Sequence, residues 1–136
     1  MKLISITTIF LLLIISCEKF FTSYIENATD NDIIMIAKMD TSITKHYSKV
    51  SNVQFLNSYA NDSTSIILKL DTINFIGVYR LKKKAIIRAN FGPPGSKFNY
   101  LQFRTPIDTI TYYSHLEIQR AFEQDTNRMN YILKVK

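Results

Sequence analysis

A two-residue alternation near the C-terminus constrains the fold most. Ile110, Tyr112, Ser114, Leu116, Ile118 and Phe122 share one parity, and Thr109, Thr111, Tyr113, His115, Glu117 and Gln119 take the other. Successive side chains of a strand point to opposite faces, so this pattern predicts a half-buried strand. A helix competes for part of it. Ser114 and Glu117 have capping-box spacing, yet Ile118, Ala121 and Phe122 match only one helical turn, so the alternation favours a strand throughout.

The same period recurs upstream and downstream. Val53, Phe55 and Tyr59 carry it, as do Ile66, Leu68 and Leu70, residues 99–105, and Met129 to Val135. Residues 32–39 are apolar on both parities, which predicts a strand buried on both faces. Turns rich in Asn and Asp ("ATDND", "NDS", "EQDTN") separate these runs. Odd positions from Ile73 to Phe91 alternate over a length excessive for one ordinary strand. Leu81 to Lys84 offers no Gly, Asn, Asp or Pro for a tight turn, so a single bent, bulged strand is expected. One short helix fits 41–50, where Ile43, Tyr47 and Val50 have helical spacing and Asp40, Thr41 or Ser42 can cap. About nine short strands describe an all-β antiparallel sandwich, with a small β-barrel as the alternative.

The N-terminus is different. Met1 and Lys2 precede an uncharged run from Leu3 to Ile15 rich in Ile and Leu. It fits the apolar core of a secretory signal, roughly 7–15 residues long. It is short of the about 20 residues a membrane span needs. The only cysteine, Cys17, stands where the run stops.

Ile14-Ile15-Ser16-Cys17 resembles a bacterial lipobox. The resemblance implies that the Cys17 thiol takes a diacylglyceryl group, that the chain is cut before it, and that the freed amine receives a further acyl chain. Residues 1–16 then form a signal peptide, 17–22 a lipidated cysteine and tether, and 23–136 a single β domain. Ile14 is too large for the small residue that an ordinary signal peptidase prefers three positions before its cut. Glu18, rather than Asp, after the cysteine gives no sign of inner-membrane retention by resemblance to a known sorting rule. A cell-envelope location follows, outer membrane favoured, in the periplasmic or the surface leaflet. The segment "YIENATDNDIIMIA" resembles the first hairpin of small immunoglobulin-like domains in Gram-negative envelope lipoproteins. That likeness implies an immunoglobulin-like sandwich and offers no catalytic residue.

Composition narrows the chemistry. The chain has 17 basic and 11 acidic residues. Loss of Lys2 with the leader leaves a charge of +5. This favours anionic lipid or glycan as a contact and, for an exported protein, disfavours nucleic acid. An acylated Cys17 leaves no thiol, so packing alone must hold the domain, with nine Phe and eight Tyr to supply bulk. The densest charged feature is "YRLKKKAIIRAN", in which Arg80, Lys82, Lys84 and Arg88 would line one strand face and grip an anion. The bland reading of those residues is a solvated edge strand.

No metal, cofactor or catalytic residue is expected. His46 and His115 lack a third ligand, and no G-x-S-x-G, H-E-x-x-H or glycine-rich nucleotide loop occurs. The Pro93-Pro94 loop reads as a connector or a partner contact. Glu117 and Glu123 are a conceivable glycosidase pair, but the absence of Trp removes the usual sugar platform. Asp62-Ser63-Thr64, Asp71-Thr72-Ile73 and Asp108-Thr109-Ile110 resemble acceptors of a periplasmic O-glycosylation system. The expectation is a non-enzymatic binding or accessory subunit beside an envelope protein partner. An immunity or inhibitor lipoprotein and a small periplasmic hydrolase are the alternatives.

Overall fold

A computed structural model describes residues 22–60, 63–91, 97–125 and 130–136. The leader, Cys17, most of the tether, Asp62 and the Pro93-Pro94 loop lie outside the described residues. Among the described residues, nine strands form two sheets, joined by three short helices. The strands are β1 (Thr22–Asn27), β2 (Ile33–Met39), β3 (Ser65–Asp71), β4 (Ile76–Leu81), β5 (Ile86–Phe91), β6 (Phe98–Arg104), β7 (Thr109–Tyr112), β8 (Glu123–Asp125) and β9 (Asn130–Val135). The helices are α1 (Thr41–Thr44), α2 (Lys49–Ser58) and α3 (His115–Ala121). One sheet runs β5-β1-β9-β8 and the other β3-β4-β2-β6-β7. Neighbours are antiparallel except β1 and β9, which run parallel. Neither sheet closes, so the architecture is sandwich-like and not a barrel.

Alternation builds the core. Ile25, Ile87, Leu133 and Val135 from the first sheet are buried, as are Ile33, Met35, Tyr79, Leu81, Leu101 and Phe103 from the second. Residues 33–39 differ from expectation: only the odd positions are fully buried, and Ile34, Ile36 and Lys38 are half-buried. The neighbouring side chains of β4 and β6 shade that outer face only partly. Gly77 has a specific role on β4. The Tyr79 ring lies back along the strand, and a methyl group at position 77 would collide with that ring and its hydroxyl.

The expected strand across 110–122 is corrected. Strand β7 stops at Tyr112 and α3 begins at His115. The Ser114 side chain accepts from Glu117 N, and Glu117 Oε2 accepts from Tyr113 N at 2.7 Å. Local capping thus outcompetes the alternation. The 41–50 helix is two helices, α1 with Asp40 as its N-cap and α2 with Ser48. Val53, Phe55 and Tyr59 therefore belong to a helix and its C-terminal turn, not a strand. Their pattern misleads because the inward face of α2 includes a polar residue. Asn52 is buried and its side-chain nitrogen donates to Thr44 O at 3.1 Å, tying the two helices together.

The single bent strand over 73–91 is also corrected. Strands β4 and β5 lie in different sheets, joined by a turn through Lys82–Ala85. The turn closes through Ala85 N to Lys82 O at 3.1 Å, with Lys84 at a positive φ of 59°. Residues from other segments supply what the local sequence lacks. Asn27 Nδ2 donates to Asn31 O at 2.8 Å and to Lys82 O at 2.9 Å, and Asp32 Oδ1 accepts from Lys83 N at 3.0 Å.

Candidate cleft between the second helix and an edge strand

Helix α2 climbs along the side of the sandwich and is held there by rings. Phe55 meets Tyr59 edge-on at 5.4 Å and Phe98 at 5.8 Å, and Tyr59 lies 5.7 Å from both Tyr79 and Phe98. Tyr79 Oη donates to Leu56 O at 2.9 Å, and the Tyr59 hydroxyl donates to Ala89 O on β5. Burial pushes both phenols upward in pKa, so they remain hydrogen-bond donors throughout the ordinary pH range.

The remaining face of α2 does not close on β5. Tyr47, Ser51, Gln54, Phe55 and Ser58 look across a cavity of about 630 Å³ toward Arg88, Ala89 and Lys97. The spacing 51, 54, 55, 58 is one helical stripe. Ser51 sits in the first turn, where its N–H donates to the Ser48 side chain at 3.1 Å. The volume lies within the range of ligand pockets, roughly 300–1,000 Å³.

The lining carries two cations and no carboxylate among the described residues. Lys97 Nζ lies 4.2 Å from the Phe55 ring centre and 5.5 Å from that of Tyr47. Those ring faces attract the cation. Partial burial lowers the Lys97 pKa, because desolvation disfavours the charged form. Lys97 is fixed from behind: its carbonyl accepts from Asp40 N at 2.9 Å, next to the start of α1. Chemically the cleft is a donor-rich pocket with aromatic walls, suited to an anion attached to an apolar body.

The four candidate anion-binding residues from the sequence are dispersed. Arg80 is exposed on the second sheet, with Ile34 as its register partner. Lys82 and Lys84 occupy the β4–β5 turn. Lys84 Nζ pairs with Asp30 Oδ1 at 3.0 Å and donates to Ala28 O at 2.9 Å. Only Arg88 reaches the cleft. Lys97, Phe55 and Tyr47 were not singled out as a site by sequence. The available signal was the helical stripe of α2, which the alternating reading of Val53 and Phe55 obscured.

Other candidates take part in local structure. The Asp71 carboxylate accepts from Ile73 N, Asn74 N and Asn74 Nδ2, which accounts for Asp71-Thr72-Ile73 as a turn. Asp108 Oδ1 accepts from Thr109 N at 2.7 Å. Glu117 caps α3, whereas Glu123 lies on β8. Among the described residues no three His, Cys, Asp or Glu side chains group as a metal site. No described helix is long and apolar enough to cross a membrane.

No protein-family model, curated protein or solved structure matches this chain. Any functional reading therefore rests on the chemistry of its own residues.

Proposed function

We propose that this protein is a lipid-anchored lipoprotein of the cell envelope, outer membrane favoured, that acts as a non-enzymatic binding or accessory subunit. One observation carries the reading: the apolar run ending in Ile14-Ile15-Ser16-Cys17 stands five residues before the first strand of the sandwich, at Thr22. That interval suits a short tether between acyl chains and a folded head. Each buried methylene contributes about 0.8 kcal/mol, and two or more chains hold a protein stably on a bilayer. Sulfur is the required nucleophile for the first transfer, in which the Cys17 thiolate would form a thioether to the diacylglyceryl carbon of a phospholipid whose phosphoryl headgroup leaves, because a thiolate attacks where a hydroxyl does not at neutral pH. The α2–β5 cleft, with Arg88, Lys97 and its aromatic walls, supports the binding half of the reading.

The anchoring half is tested by processing. Globomycin treatment should leave a heavier precursor, and Cys17→Ser should lose incorporation of a radiolabelled fatty acid. Unchanged processing in both experiments would rule out the lipoprotein reading.

A further inference from the structure

The chain enters the sandwich at the same end at which the cleft is built. Strand β1 begins at Thr22, which pairs with Phe91, and Tyr24 pairs with Arg88 on the same edge strand. Arg88 therefore lies three residues along β5 from the partner of the entry residue, roughly 10 Å at the rise of an antiparallel strand. Met39 and Phe98 pair at this end too, and Asp40 N bonds Lys97 O there. Thr22 lies five residue steps after Cys17, a span of at most about 18 Å when fully extended. The Lys82–Ala85 turn lies at the opposite end, beside Asn27 and the start of β2.

We propose that the α2–β5 cleft binds the phosphoryl headgroup of an anionic lipid. Its placement in the supporting bilayer rests on the anchoring reading above, whereas the anion chemistry does not. Arg88 offers a planar fork of donors and Lys97 a point charge, the two ways side chains hold phosphate. Ser51 and the Gln54 amide line the same wall and can donate to remaining oxygens, whereas the Ser58 hydroxyl already donates to Phe55 O at 2.6 Å. No lining carboxylate among the described residues opposes an anion. Tyr47 and Phe55 supply the apolar surface that a lipid's glycerol and upper acyl region would cover. The cavity of about 630 Å³ greatly exceeds a water's share of about 30 Å³, so it has room for more than a bare ion.

The test titrates the full mature chain, in a neutral detergent, with three water-soluble probes. These are short-chain phosphatidylglycerol, short-chain phosphatidylcholine and glycerol phosphate, read by calorimetry. The expected result is saturable binding of phosphatidylglycerol, weaker binding of the zwitterionic lipid, and little of glycerol phosphate. Lys97→Met and Arg88→Gln should each weaken phosphatidylglycerol at least about tenfold, as should raising salt. Lys97→Arg keeps the charge and should retain binding, and Lys84→Met should leave it unchanged. Circular dichroism confirms that each variant is folded. Equal affinity for glycerol phosphate would overturn the lipid assignment in favour of a soluble ester. Absence of binding, or binding insensitive to Lys97 and Arg88 in folded variants, would overturn the site. Since the probe comes from solution, this result does not depend on Cys17 acylation, which the intact mass reports separately.

Discussion

At the turn end of the sandwich, Lys84 meets a carboxylate at 3.0 Å, while at the helix end Lys97 meets an aromatic ring at 4.2 Å. The two ends also differ in what their polar groups do. Around the turn, the Asn27 amide donates to Asn31 O and Lys82 O and accepts from Thr29 N, while Asp32 accepts from Lys83 N. These groups bond within the protein, and the Lys84 charge pairs with Asp30 beside the turn. Around the cleft, Lys97 faces the Phe55 and Tyr47 rings and the cavity. The difference teaches that charge density in a sequence does not locate a site. The segment from Tyr79 to Asn90 supplies both ends, and only Arg88 among its four candidates reaches the cavity.

The largest expected effect tests whether the turn end is purely structural. Asn27 is fully buried and bonds backbone from two turns. Asn27→Ala removes the donor from those carbonyls and the acceptor from Thr29 N, and should cost about 3 kcal/mol. The expected outcome is a clear fall in the urea midpoint, with phosphatidylglycerol affinity unchanged at temperatures where the variant is folded. A binding defect equal to that of Lys97→Met would break the contrast between the ends. Gly77→Ala is next, at about 1–3 kcal/mol, because the added methyl must displace the Tyr79 ring and with it the support beneath Leu56. This change lies beneath the cleft, so both midpoint and affinity should fall.

Sequence made the strand alternation legible wherever burial on one face dictated it, as along Leu101 and Phe103 or Leu133 and Val135. It failed where a single polar residue did long-range work. Nothing local to Leu81–Lys84 announces a turn, because Asn27 and Asp32 close it from more than fifty residues away. The alternation over 109–122 is real as a pattern, but Ser114 and Glu117 decide the backbone through capping, which period counting ignores. The cleft was legible only at Arg88. Its other cation, Lys97, follows a breaker-rich loop and becomes part of a site only because Asp40 N holds its carbonyl beside α1.

A third prediction concerns the start of α2. Ser48 caps the helix whose next turn supplies Ser51 and Gln54 to the cleft. Ser48→Ala should cost about 1 kcal/mol. It should also weaken lipid binding more than Ser114→Ala, an equal cap loss on α3 away from the cavity. Equal effects on binding would mean that α2 is held by its rings alone.

Lys97→Met separates charge from packing. The thioether keeps the apolar stem against Phe55 and removes a partly desolvated charge, so stability should change by no more than about 1 kcal/mol. The sign with pH is fixed by the lowered pKa. A lysine whose folded pKa lies below its unfolded value carries its penalty while charged, and loses it as pH rises through the folded value toward 10.5. The wild type should therefore gain on Lys97→Met in alkaline buffer. A difference independent of pH up to that value would show that the ammonium group is not desolvated in the cleft.

The smallest effect belongs to the pair at the turn end. A hydrogen bond from Lys84, followed by its charge, lowers the Asp30 pKa below 3.8. A carboxylate with a depressed pKa stabilises above its unfolded value, and that contribution disappears as pH falls through the folded one. Both side chains are largely exposed, so solvent and salt screen the pair. Asp30→Asn should thus melt only marginally below wild type at neutral pH and low salt. The gap should close below about pH 4 as Asp30 protonates, and it should also close at 1 M salt, where screening acts over about 3 Å. Wild type and variant should bind phosphatidylglycerol alike at pH 7. A pH-dependent binding difference that tracks Asp30 would place this charge pair in contact with the ligand and erase the distinction between a cation that closes a turn and one that faces a cavity.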